Sequence, residues 1–598
     1  MNASSRPSVS PAVIAAIIES APDRVRRRLD RSPDAAGEWK WIFVDEAWSI
    51  TAGNETVTLS GQHLTSVDQL SCSCLLTPNC FHIAACLTSL EVALLEDHPQ
   101  EVEPEETQDF VEEAAEPTGT ELSDEQKKAV AGYEIAITRI LEAGVANAGV
   151  FLQSQLLRAI HQCRAAGLHR IAASGVRILT GVTGFRKRAP EQDSQQLALD
   201  LAEALEALHH LQASQPVADF WIGTARRAQF PVNPRKLQGV LAEPVMTRSG
   251  YAGASVLFLG GDDQFYTVGE VRPGDEQLAR DAYRGGVQMG PLIQPAQKLA
   301  RSSYLGTELT ASREGRLGRG TRVKIVEQGE SSWQSPEFEK RFQRPLSDQW
   351  NAVFNSGLLP PEARPAGWDL VFLTGTVLGI CGPVLLLELS ESRTVIELAI
   401  ENDHPALCFR ENLRILSYAP GLALKIVGRL SLQSSLRVFP LALVQEEAAD
   451  AGDHDDRPRL DLPLEFQGRL FLGFDELQRS HLQQAQSTET VLTQLPAGGE
   501  PDQLSVLRRR WIALMIGGLS SQRKTNQSFH ATDLSQLKQH GFETAAALLD
   551  RYPSIAATAE LMIANLFLAS AIYLKHCQLE RSRALALHYL EAGLGQRL

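Results

Sequence analysis

Cys72-Ser73-Cys74-Leu75-Leu76-Thr77-Pro78-Asn79-Cys80-Phe81-His82 is the stretch that decides how the rest of the chain is read. In an extended backbone, residues two apart point to the same side, so Cys72 and Cys74 can present both sulfurs to one ion. Pro78-Asn79 supplies a tight reversal, after which Cys80 and His82 close from the opposite side. Three thiolates and one imidazole form a tetrahedral set that zinc favours, with no position left for a substrate water. The expected cofactor is therefore Zn2+ in a structural site, with Cys72, Cys74, Cys80 and His82 as ligands and no catalytic residue. The competing readings are buried cysteines beside an incidental histidine, or a vicinal disulfide. Only eight cysteines occur in 598 residues, four of them between Cys72 and Cys86. That density does not suit a disulfide-stapled secreted scaffold and points to a reducing cytoplasm. Cys86, one helical turn after His82, reads as a core residue.

Cys-x-Cys, a short spacer and Cys-x-His before an Ile-Ala-Ala-type helix start resemble the SWIM-type zinc finger. The resemblance covers about residues 45–95 and implies a β-hairpin followed by a helix. Ile50 to Leu59 and the segment before Cys72 would be the strands, and Ile83 onward the helix. Phe81 departs from the pattern, which usually has a basic residue between the last two ligands. More loosely, the layout resembles bacterial SWIM-finger proteins encoded near MoxR-type ATPases and von Willebrand factor A domain proteins, which makes such proteins the implied partners.

Outward from the cluster, composition predicts a multidomain α+β chain. Residues 1–44 read as an N-terminal helical segment, with an amphipathic helix around Ala12 to Ile18, a basic run from Arg24 to Arg31, and a break at Ser32 to Asp34. Residues 45–95 form the finger, with a turn at Ala52-Gly53-Asn54. Residues 96–126 form an acidic linker without Lys or Arg before Lys127. The capping-box form of Ser123 to Gln126 opens a helical domain, 127–215, with a loop at Gly184 to Pro190. A β-rich domain, 216–345, carries a hairpin from Ala254–Leu259 to Phe265–Val268. A second β-rich domain, 346–446, holds five strands (Leu370 to Ile380, Val384 to Leu389, Thr394 to Ile400, Leu422 to Leu430, Leu436 to Val444), compatible with an OB-like barrel. Another acidic linker, 447–465, leads to a C-terminal helical domain, 466–598.

The formal charge is −15 with 22% charged residues, so a nucleic-acid role must be established locally. The finger offers none: between Lys40 and Lys127 there is no Lys or Arg, a three-thiolate zinc centre carries about −1, and the Arg24 to Arg31 group is interleaved with Asp23 and Asp30 and would act alone. Apolar stretches at the N-terminus and at Ile555 to Leu574 are too short or too interrupted for a signal peptide or a membrane span. His161, Cys163 and His169 diverge on a helix, and His209-His210 read as boundary residues. Cys381, Cys408 and Cys577 read as small buried hydrophobes, Gly315 to Gly320 as a turn, and Arg508-Arg509-Arg510 with Arg523-Lys524 as exposed charges. The strand carboxylates Glu388 and Glu397 would pair by alternation alone, leaving little case for an enzyme. The expectation is a cytoplasmic, non-enzymatic scaffold or regulator in which a tethered zinc finger mediates protein–protein interaction. The alternative is nucleic-acid binding through the finger or the OB-like domain.

Overall fold

The structure, a computed structural model, describes residues 6–32, 35–44, 47–92, 119–189, 192–213, 216–224, 229–247, 251–320, 322–434, 436–446, 457–492, 502–522, 527–554 and 561–592. They divide into two compact units. The first takes the described residues up to 224 together with those from 502 to 575, and the second takes 229–492 and 576–592.

In the first unit, Ser10 caps the helix Pro11–Ser20 and Pro11 occupies its first position, where a missing N–H costs nothing. Val13, Ile14, Ala15, Ile17 and Ile18 are all buried, so this helix is covered on most sides. A second helix, Asp23–Arg31, turns only Val25 and Leu29 inward. A four-stranded antiparallel sheet follows in chain order, Lys40–Val44, Ala47–Ala52, Glu55–Ser60 and Leu70–Cys72. Gly53 sits at φ 66° in the expected turn, which narrows to Gly53-Asn54. Lys40–Val44, counted above with the helical segment, is instead the edge strand: Trp41, Ile42, Phe43 and Val44 are the residue types a pleated surface favours. The finger helix Phe81–Thr88 closes the module.

The core of this module is not self-contained. Ile14, Ile17, Leu29, Ile50, Val57, Leu59, Ile83 and Cys86 share one cluster with Leu157, and Val150, Phe151 and Leu179 pack against it. Those last four residues lie on the helices Val150–Ala165 and His169–Lys187. The expectation of a finger carried on a tether is therefore corrected. A module of roughly fifty residues buries too little surface alone, and its apolar first helix completes its burial against the helical bundle. Of the expected linker, residues 96–118 lie outside the described residues, as do 93–95 at the end of the expected finger. Its end is ordered by Thr120, which exchanges backbone hydrogen bonds with Val217, and by the Ser123–Gln126 capping box.

Four helices, Asp124–Ala143, Val150–Ala165, His169–Lys187 and Ser194–Ala213, form the expected helical region. The loop expected from Gly184 starts later, because Arg188 (φ 53°, ψ 42°) takes a left-handed cap and the Ala189 N–H reaches the Gly184 carbonyl at 3.0 Å. The distant helix Ser505–Gln522 joins this bundle and kinks at Gly518.

The second unit begins with an antiparallel sheet in the order Phe265–Pro273, Tyr251–Gly260, Lys236–Met246, Ser302–Thr307, Lys324–Glu330. It contains the expected hairpin. Then come Leu370–Cys381, Val384–Leu389, Val395–Leu398, the helix Phe409–Leu416, Ala423–Leu430 and Arg437–Gln445. All five expected strands are present, and the helix fills the break between the third and fourth. The first strand pairs with the second and fourth, and the third pairs in parallel with the fifth, so the pairings close into a ring. Only Glu397↔Arg437 and Leu398↔Val438 make that closure, so the ring is not a true barrel. Arg469–Phe471 adds a sixth strand, and among the described residues α-helices resume at Ser505 rather than near 466. Residues 447–456 of the second acidic linker and Arg523-Lys524 lie outside the described residues.

A buried polar knot anchors this unit. Arg301 meets Asp475 at 2.7 Å, with side chains 3% and 2% exposed. Asp475 also accepts the Tyr283 hydroxyl at 2.6 Å and the Phe471 N–H at 2.8 Å. Two more arginine bonds go to the carbonyls of Phe466 and Arg469 at 3.0 Å. Among the described residues, no helix is long and apolar enough to cross a membrane.

Candidate metal centre

The strand Leu70–Cys72 delivers the first sulfur, and the backbone then leaves the extended state. The Ser73 N–H bonds the Thr56 carbonyl at 3.0 Å while the Thr56 N–H bonds the Ser73 hydroxyl at 2.9 Å, which pins the strand end. The Thr77 N–H reaches the Cys74 carbonyl at 3.3 Å, and the Thr77 hydroxyl accepts the Cys72 N–H at 3.1 Å. The reversal thus begins at Leu75-Leu76 and continues through the expected Pro78-Asn79, and Cys74 reaches the centre from a bend, not from an extended Cys-x-Cys. Thr77 is the residue that sequence reasoning missed; its hydroxyl and N–H close the knuckle from both sides.

Cys80 is the N-cap of the finger helix, its sulfur accepting the Ile83 N–H at 3.4 Å. A helix N-terminus favours the thiolate there. His82 stands in the first turn, its Nδ1 3.7 Å from the Cys72 sulfur. The donor atoms of Cys72, Cys74, Cys80 and His82 all lie within 4.8 Å of one another. An edge of about 3.5–3.8 Å is what a tetrahedral zinc with Zn–S near 2.3 Å and Zn–N near 2.0 Å requires. The four donors fit a metal ion such as zinc, and they are the only such group among the described residues.

Burial sets the protonation of these donors. Burial pushes the Cys72 thiol up to about 12 and raises Cys80 as well, so protons hold these sulfurs until a positive charge replaces them. Burial, helped by Arg28, lowers His82 below the usual histidine value and keeps the imidazole neutral, as a ligand must be. Cys86 is fully buried in the core, as expected. Phe81 is 6% exposed, with the Arg28 guanidinium 3.9 Å over its ring and Trp39 at its edge. It packs under the finger, and the positive charge absent from its own position is supplied beside it by Arg28.

The other weighed residues do not assemble. Glu388 is tied to Arg393, and Glu397 to Arg437 at 2.7 and 2.9 Å. His210 stacks on Trp221 at 4.0 Å, with Arg170 4.3 Å over the same ring. Cys163 is buried apart from any ligand group, and Cys381 is buried too, whereas Cys408 and Cys577 are only half-buried.

No family model, curated protein or solved structure matches the chain. What can be said of this centre therefore comes from its own geometry.

Proposed function

We propose that the chain is a non-enzymatic zinc protein whose SWIM-type knuckle is an interaction element in a cytoplasmic scaffold or regulator. The observation that carries this reading is the placement of Leu75 and Leu76. They lie between the second and third ligands, 103% and 41% exposed, on the one loop that metal binding would stiffen. Holding a leucine wholly in water at a fixed place has a use when another protein buries it, and about 1.5–3 kcal/mol would follow from covering Leu75, with less from the half-buried Leu76. The exposed edge strand adds Ile42, Phe43 and Val44 to the same module. Zinc here shapes and rigidifies; with four protein donors it has no open position for chemistry. By resemblance, a MoxR-type ATPase or a von Willebrand A domain protein is the partner to try first. In a pull-down with such a partner, Leu75→Asp/Leu76→Asp full-length protein should keep its zinc and lose the partner. Undiminished capture by that variant, or zinc-free purified protein, would end the proposal.

A further inference from the structure

Among the described residues of the first unit, a stripe of arginines stands out. Arg24, Arg27, Arg28 and Arg31 follow one another at i, i+3, i+4 and i+7 along Asp23–Arg31, all exposed, while Val25 and Leu29 face the core. In sequence they are interleaved with acids. In space those acids are already engaged. Asp23 bonds Arg26, and Glu19 bonds Arg158. Asp30 accepts the Val150 N–H at 2.9 Å and Arg186 at 3.3 Å.

That last contact brings a second basic segment alongside. Arg186, Lys187 and Arg188 end the helix His169–Lys187, and Arg186 and Arg188 line an open cleft of about 530 Å³ with Phe185 and Gln192. Arg24, Arg27, Arg31 and Arg188 make no ion pair with a carboxylate among the described residues. Seven cations from two segments some 150 residues apart are thus joined through the Asp30–Arg186 contact, in a chain whose formal charge is −15.

We infer that together they form a face that binds the phosphate backbone of single-stranded nucleic acid. Six of the seven cations are arginines, whose planar forks suit phosphate oxygens. The stripe runs about 10 Å along its helix, enough for successive phosphates on one strand, and Phe185 offers a ring within the adjoining cleft. The zinc knuckle takes no part, and both segments are needed, so the surface exists only where the N-terminal module is docked on the bundle.

The test is anisotropy of a labelled oligothymidylate with the full-length protein, at about 50 and about 200 mM salt. With about five phosphate contacts, affinity should fall roughly 100-fold over that range. Arg24→Glu/Arg27→Glu/Arg31→Glu should weaken binding at least about tenfold at the lower salt and flatten the salt dependence, and Arg188→Glu alone should lower the slope by about 0.7. Circular dichroism and zinc content would verify that the variants fold. Absence of binding at low salt, binding unchanged in both variants, or equal binding of polyglutamate at matched charge would overturn the inference; the last would assign the face to an acidic protein segment.

Discussion

Gly144 and Gly518 meet backbone to backbone: a Cβ on Gly144 would lie 2.3 Å from the Gly518 nitrogen, and one on Gly518 would lie 2.2 Å from the Glu142 carbonyl oxygen. Gly144 ends the helix Asp124–Ala143 at φ 80°, and Gly518 kinks its own helix at φ 61°, ψ −157°, a conformation essentially confined to glycine. Gly518→Ala should therefore cost more than about 2 kcal/mol, combining backbone strain with overpacking. Denaturant unfolding of the full chain would register it as a lower midpoint, and zinc content should not change.

Asp30 caps a helix that is not its own. Its carboxylate satisfies the first N–H of Val150–Ala165 and holds Arg186. Asp30→Ala should destabilise the chain by about 1–3 kcal/mol, with Asp30→Asn losing less because the amide oxygen still accepts. Thermal unfolding of the three proteins would rank them.

Zinc uptake should release protons. The Cys72 and Cys80 thiols are raised by burial and so are protonated near neutral pH, whereas His82 is lowered and neutral there. Adding zinc to stripped protein at about pH 7.5 should free a proton from Cys72 and one from Cys80, and none from the histidine. Affinity should then fall as pH drops, and fall further once the pH passes below the His82 value. Calorimetry in buffers of different ionisation enthalpy would count the protons; release of only one would contradict a three-thiolate site.

Phe81→Ala should cost about 3–4 kcal/mol and weaken zinc retention, since the ring supports Trp39 and Arg28 beside His82. Phe81→Leu should keep the metal. Zinc content after dialysis against a weak chelator distinguishes them.

The clustering of the four donors was legible because it depends on residue types at short spacing. The five strands and the break at Phe409–Leu416 were legible because β-branched and aliphatic runs alternate with turn residues. Partnership across long separations was not. Nothing near Asp30 in sequence announces Val150 or Arg186, so the arginine run read as locally neutralised when Asp30 is in fact spent on another helix. The Thr77 bonds that begin the reversal at Leu75-Leu76 depend on one hydroxyl and left no periodic trace. Arg469–Phe471 is too short a strand to declare itself outside the sheet it completes.

The shared core around Leu157 changes what a break in the polypeptide would do. Val92 and Gly119 flank the acidic segment, and the described residues on both sides of it belong to the same unit. A protease cutting there would sever a covalent bond without separating the pieces. The finger fragment would remain seated through Ile14, Ile17, Leu29 and the Asp30–Val150 bond, and would leave only when the bundle itself melts. The N-terminal module is in this sense a wall of the helical house.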